Sequence, residues 1–183
     1  MLRARVEEGW WIGPAPYGYR RQRHRAIDTT GKPGWRHRLI VDARRAATVV
    51  TIFTWCAHER LGTHAITTRL ATAHDPHPRP RDLVTGRPRR WTSAKVRAIL
   101  DQPAYLGYTV RGRTRHREPL HPNKWIWSHH PSHPALIDPT LFWTAYDRLH
   151  PTPENDTGAR GTAEPTNDPQ DPNVSEPGQR PAA

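Results

Sequence analysis

Apolar residues recur at spacings of three and four in residues 42–60, DARRAATVVTIFTWCAHER. Ala46, Val49, Val50, Phe53 and Ala57 fall on one face. The spacing predicts a helix that Asp42 caps and Gly62 can end. Its β-branched residues lower intrinsic propensity, so packing must hold it. Thr63 can cap a second helix, HAITTRLATA, with Ile66 and Leu70 one turn apart. Helix, glycine turn, helix is the pattern of a helix-turn-helix, though most such hairpins bind nothing. Residues 92–101, TSAKVRAILD, predict a third helix capped by Thr92 or Ser93. Val96, Ile99 and Leu100 face inward in it, Lys95 and Arg97 outward, and Pro103 ends it. Asp138, followed by Pro139 at the first helical position, opens a last helix, PTLFWTAYDRLH.

Between these helices the periodicity changes. Residues 1–9 read as a short helical end stopped at Gly9, followed by the stiff aromatic turn GPAPYGYR from Gly13 to Arg20. A glycine-proline turn, GKPG, separates RRQRHR (Arg20 to Arg25) from WRHRLIV (Trp35 to Val41), which predicts a small hairpin. AYLGYTVRGRTRHR, residues 104–117, reads as a strand with a basic end, and the alternating KWIWS, residues 124–128, can pair with it. Residues 74–91 hold four prolines, which forbid a regular helix, and five arginines. That segment is either a solvated loop or one that orders on a phosphate backbone. No internal repeat is visible. The expected fold is α+β, a small mainly helical domain with a short antiparallel sheet.

Charge divides the 183 residues. Positions 1–150 carry 26 basic and 11 acidic side chains; positions 151–183 carry 2 and 6. All eight tryptophans lie before position 151, and seven of the twenty prolines lie after position 150. The expected organisation is a linker helix end at 1–12, a basic folded domain at 13–150 and a disordered Pro-rich acidic tail at 151–183. A folded basic domain points to a polyanionic partner. Of the chain's 28 basic residues 25 are arginine, which suits bidentate contacts to phosphate and guanine. The single Cys56 excludes an internal disulfide and a cysteine zinc site. No apolar run is long enough to span a bilayer, and the N-terminus lacks a signal core, so a cytoplasmic, nucleoid-associated protein is expected.

Candidate chemistry is therefore contact with nucleic acid rather than catalysis. Arg20, Arg21, Arg23 and Arg25 follow the aromatic turn, and Arg36 and Arg38 lie on the predicted partner strand. Arg89, Arg90, Thr92, Ser93, Lys95 and Arg97 surround a capped helix N-terminus, a ready anion site. Arg111, Arg113 and Arg115 form a third group. Phosphate anchoring by these arginines, with sequence read near 89–97 and 111–117, is the expected mode. His129, His130 and His133, with His121 upstream, sit among prolines without an acidic partner, so no metal and no cofactor is expected. A metal-dependent nuclease needs clustered carboxylates, and those of the first 150 residues are scattered singly except Glu7-Glu8. Cys56 reads as a buried, inert thiol. Trp10, Trp11, Trp35, Trp91, Trp125, Trp127 and Trp143 offer stacking platforms, which keeps a single-strand or RNA binder as an alternative.

Five motifs occur in one order: GPAPYGYR, LIVDARRAATVVTIFTW, GTHAITTRL, RRWTSAKVRAILDQPAYLGY and SHPALIDPTLFWTAYDRL. Together, over roughly residues 5–150, they resemble the recombinase domain of large serine recombinases, the DNA-binding module that follows the catalytic resolvase domain. The matching positions are Pro16 to Tyr19, Ile52-Phe53, Trp91 with Ile99-Leu100, Pro103, Tyr105, Gly107, and His133 to Asp138. The resemblance implies a small α+β domain seated on duplex attachment-site DNA. Tyr17 and Tyr19 are expected to pack rather than read bases. The family's catalytic serine domain and its four-cysteine zinc ribbon have no counterpart in these residues, where serine stands only at 93, 128, 132 and 175. The expected chain has no catalytic residue and does not cut or rejoin DNA alone. It is one piece of a split recombinase partnered with a separate resolvase-type subunit, a truncated remnant, or a free-standing DNA-binding regulator.

Overall fold

The helices predicted from periodicity supply the core. In the computed structural model, which describes residues 2–27, 31–73 and 77–151, α1 spans Leu2–Glu7, α2 Ala43–Ala57, α3 Thr63–Thr72, α4 Ser93–Leu100 and α5 Pro139–Leu149. Phe53 of α2, Ile66 of α3, Val96 of α4 and Phe142 of α5 are fully buried in one shared core. Each such side chain stabilises the fold by about 1.5–3 kcal/mol through burial. Phe53 stacks on Phe142 at 5.8 Å and meets the edge of Tyr105 at the same distance. The Asp138 carboxylate accepts from Leu141 N at 2.9 Å and Thr92 Oγ1 accepts from Lys95 N at 3.2 Å, so these two expected caps form, whereas Thr63 is the first residue of α3 rather than its cap.

Helix α2 departs from its expected face. Ala46, Val49 and Phe53 point inward as predicted, but Ile52 and Cys56 complete the stripe. Val50 is 41% exposed and Ala57 half-buried. The buried stripe is centred on Val49, Phe53 and Cys56, and Val50 lies about a quarter-turn off it. Asp42 occupies the cap position, yet its carboxylate turns to Arg45 at 3.6 Å and makes no cap bond. Arg60, not Gly62, takes the left-handed conformation after α2, at φ +56°; Gly62 instead stands at the cap position of α3 in extended conformation.

The predicted hairpin is longer than its turn signal suggested. Strand β1, Tyr19–Ile27, pairs antiparallel with β2, Pro33–Val41, in a register running from Tyr19 opposite Val41 to Ile27 opposite Pro33. Tyr19 and Leu39 anchor its base in the core, while the outer half of β1 is largely exposed. The expected continuous strand over 104–117 does not form. Pro103–Leu106 is a 3-10 turn, and Gly107 follows it at φ +90°. Only β3, Val110–Arg111, pairs with β6, Ile126–Trp127, which is the predicted partner segment. Strands β4, Thr114–Arg115, and β5, Glu118–Pro119, form a separate small hairpin. The chain to residue 151 forms one compact unit, and α1 belongs to it: Val6 is buried and Glu7 O accepts from His129 N at 3.1 Å. The expected disordered tail lies outside the described residues from 152 onward.

Candidate nucleic-acid interface

Strand alternation sorts the hairpin into two basic faces, because residues directly opposite each other project to the same side. Arg21, Arg23 and Arg25 share a face with Leu39, His37 and Trp35, their respective partners; Arg20, Gln22 and His24 share the other with Ile40, Arg38 and Arg36. Trp35 is half exposed, and the Arg23 and Arg25 guanidiniums lie over its ring at 4.3 and 5.1 Å. On the opposite face Arg38 lies 4.6 Å over Trp10. These stacks hold cations in place without neutralising them. Neither strand contains an acidic residue, and among the described residues no ion pair reaches any of these six arginines. Burial, and then the charges of Arg21 and Arg23, hold the His37 pKa below its ordinary value. Arg21 also donates to Gly13 O at 3.3 Å and Arg36 to Trp35 O at 3.1 Å.

The second predicted group surrounds α4. Arg90 and Arg97 are exposed, as is Thr92, whose hydroxyl caps the helix; Ser93 begins it and is half-buried. Arg89 pairs with Asp82 at 3.1 Å and Arg97 with Asp101 at 3.7 Å. Lys95, expected to face out, is instead half-buried, and that burial lowers its pKa. Lys95 stands one turn before buried Ile99, at the edge of the helix face that packs inward.

The third group is divided. Arg111 and Arg115 are exposed, but Arg113 is half-buried and donates to Asp101 O at 2.5 Å, tying the end of α4 to the β3–β4 segment. Arg111 and Arg113 border a cleft of about 610 Å³ that is also lined by Asp101, Trp125, Tyr146 and His150. His133 is buried, with Nε2 2.7 Å from Ala104 O and Nδ1 2.9 Å from Ser132 Oγ. Cys56 is buried and its thiol is pushed up by that burial. No group of three or more metal-ligating side chains occurs among the described residues. No helix among them is long and apolar enough to cross a membrane.

Tyr17 and Tyr19 are packing residues, as expected. The Tyr19 hydroxyl donates to Pro134 O at 2.6 Å, and the Tyr17 hydroxyl donates to Pro78 O. What pattern reading misses is how the stacks form. Pattern alone places Trp10 and Trp35 among seven candidate stacking platforms; the hairpin register places Trp35 beside Arg25 and Arg23, and the loop after α1 brings Trp10 under Arg38. Gln22, exposed and opposite Arg38, has no sequence signal of its own, because nothing short of that register separates it from its basic neighbours.

The family model named Recombinase matches residues 43–152, more than half of the chain, and the protein belongs to that family. The match covers α2 through α5 and therefore the helical core and the second and third arginine groups. A solved structure described as a crystal structure of an LSR–DNA complex is similar over 85% of this chain, at 13% identity and a TM-score of 0.47. This chain spans 41% of that one. No curated protein matches the sequence.

Proposed function

We propose that this chain is a duplex-DNA-binding module of a serine site-specific recombinase. The observation that carries the reading is the β1–β2 ribbon, with arginines on both faces, two of them stacked over Trp35 and no acidic residue in either strand. A two-stranded ribbon fits the major groove, where Arg reads guanine and Gln reads adenine by bidentate bonds. Arg20, Arg21, Arg23, Arg25, Arg36 and Arg38 would anchor phosphates on both walls, and Gln22 would face base edges. Arg89, Arg90, Thr92, Ser93, Lys95 and Arg97 would hold a neighbouring stretch of backbone, joined by Arg111 and Arg115. Strand cutting and rejoining would come from a separate resolvase-type catalytic subunit; the hydroxyl–imidazole pair of Ser132 Oγ and His133 Nδ1, 2.9 Å apart, is buried and also bonded to Thr109 Oγ1, which suits a structural role.

Fluorescence anisotropy with a labelled duplex across a salt series tests this. Engagement of ~6 phosphates gives a log–log salt slope of about −5. The Arg23→Ala/Arg25→Ala variant should flatten that slope by about 2 while leaving the circular dichroism spectrum unchanged. An unaltered slope would remove the ribbon from the interface, and tighter binding to single strands than to duplex would favour the single-strand reading.

A further inference from the structure

The segment from Pro80 to Arg90 is an ordered strap. Arg81 bridges to Pro88, Asp82 N donates to Arg87 O at 2.9 Å, and Arg89 N donates to Pro80 O at 2.7 Å. At its tip Asp82 Oδ1 accepts from Val84 N at 3.0 Å, from Thr85 N at 2.8 Å and from Thr85 Oγ1 at 3.1 Å. Gly86 closes the turn at φ +68°, donating to Asp82 O at 3.0 Å. These bonds hold the Asp82 carboxyl below its ordinary pKa, led by the Thr85 and Val84 amides. The strap is therefore built to hold one conformation.

What it presents is two adjacent aliphatic side chains in water. Leu83 is 77% and Val84 94% exposed, the most exposed large apolar residues described. Arg79, Arg81, Arg87, Arg89 and Arg90 stand on the two arms behind them. A hydrophobic tip alone would suit any apolar surface. A tip backed by five arginines within twelve residues, of which Arg89 is paired with Asp82 and four are not ion-paired among the described residues, is complementary to a polyanion with an apolar interior, which describes stacked base pairs between phosphate rails. Apolar wedges flanked by basic side chains enter the minor groove, unstack neighbouring base pairs and kink the duplex by about 20–90°.

We infer that the Pro80–Arg90 strap inserts Leu83 and Val84 between base pairs from the minor groove and bends the bound duplex. This deepens the DNA-binding reading and rests on it. The bend lets one small module hold DNA at the strap and at the β1–β2 ribbon together, and favours sites with an easily unstacked pyrimidine–purine step.

The test uses the full chain and a duplex of about three helical turns with one central TA step, selected for the flexibility of that step. 2-Aminopurine at the step reports unstacking, and dyes at the two ends report bending by energy transfer. The wild-type chain should raise both signals. Leu83→Ser/Val84→Ser should abolish both and weaken binding about tenfold, equivalent to about 1.4 kcal/mol, with the salt slope unchanged because every arginine remains. Since both side chains are exposed, the variant should fold normally. Wild-type binding to a straight, stacked duplex, or equal signals from the variant, would overturn the wedge while leaving DNA binding in place; the tip would then suit an acidic protein surface. Failure of the wild-type chain to bind duplex at low salt would overturn the DNA-binding reading and the wedge with it.

Discussion

The Tyr17 ring packs edge to face against Trp91 at 5.2 Å, and the Tyr17 hydroxyl donates to Pro78 O. One tyrosine therefore fastens both ends of the arginine-rich 78–91 segment to the body of the domain. Its main-chain carbonyl in turn accepts from the buried Tyr105 hydroxyl at 2.7 Å. The aromatic turn at Pro16 to Tyr19 thus precedes the arginines because it positions two basic elements: the ribbon that begins at Tyr19 and the strap held by Tyr17. Tyr17→Phe keeps the ring contact and removes the Pro78 bond, at a cost of about 1 kcal/mol. Hydrogen exchange in residues 79–90 should accelerate and duplex affinity should fall, with the core amides of α2 and α5 unchanged.

Gly18 is fixed by two independent requirements. Its φ is +96°, and a Cβ there would lie 2.9 Å from Val49 Cγ2 and 3.1 Å from Leu136 Cδ1. Its carbonyl also accepts from Asp42 N, at 2.9 Å, linking the turn to the start of α2. Strained backbone costs about 1–3 kcal/mol, and overpacking adds to it. Gly18→Ala should lower the urea midpoint by an amount equivalent to about 3 kcal/mol, the sum of a moderate value for each effect. A loss under about 0.5 kcal/mol, the range of neutral surface changes, would show that the turn relaxes.

His133 couples stability to pH. It is buried between Ser132 and the Ala104 carbonyl, and burial lowers its pKa, opposed by the weaker effect of the Ala104 bond. The unfolded chain takes up its proton near the ordinary value of about 6.5, while the folded chain takes it up at lower pH. Between those two values the unfolded state holds more protons, so stability falls as pH drops below about 6.5. Thermal unfolding between about pH 7.5 and about pH 5 should show that fall, and His133→Asn should make the profile shallower over roughly the ordinary histidine range. A profile unchanged by the substitution would assign the pH dependence to other groups.

Much of this architecture was legible because amphipathic helices announce themselves. Ile66 and Leu70, Val96 with Ile99 and Leu100, and the Asp138–Pro139 start all stand where periodicity and capping put them. The faces of α2 were harder. Val50 and Ile52 flank the same stripe, and which is covered depends on neighbouring elements rather than on local spacing. The strand expected over 104–117 is reduced to Val110–Arg111 and Thr114–Arg115 because Pro103 starts a 3-10 turn and Gly107 takes a left-handed conformation, so β propensity in Tyr105 and Tyr108 was overridden by backbone constraints. The strap was hidden differently. Four prolines argued for irregular chain, while Asp82 followed by Thr85-Gly86 carried a turn signal that only the Asp82 hydrogen bonds make plain.

Lys95 separates stability from function. It is half-buried, its pKa is lowered by that burial, and among the described residues its ammonium has no hydrogen-bond or ion-pair partner. A partly desolvated charge without a partner costs folding energy. In the proposed DNA-bound state a phosphate would complete its coordination. Lys95→Met keeps most of the stem and removes the charge. The variant should therefore unfold at a higher urea concentration than the wild-type chain, while binding duplex more weakly and with a salt slope reduced by about 1. Greater stability with unchanged affinity and slope would place Lys95 off the interface. Lower stability would mean that the ammonium already has its partner in the folded chain.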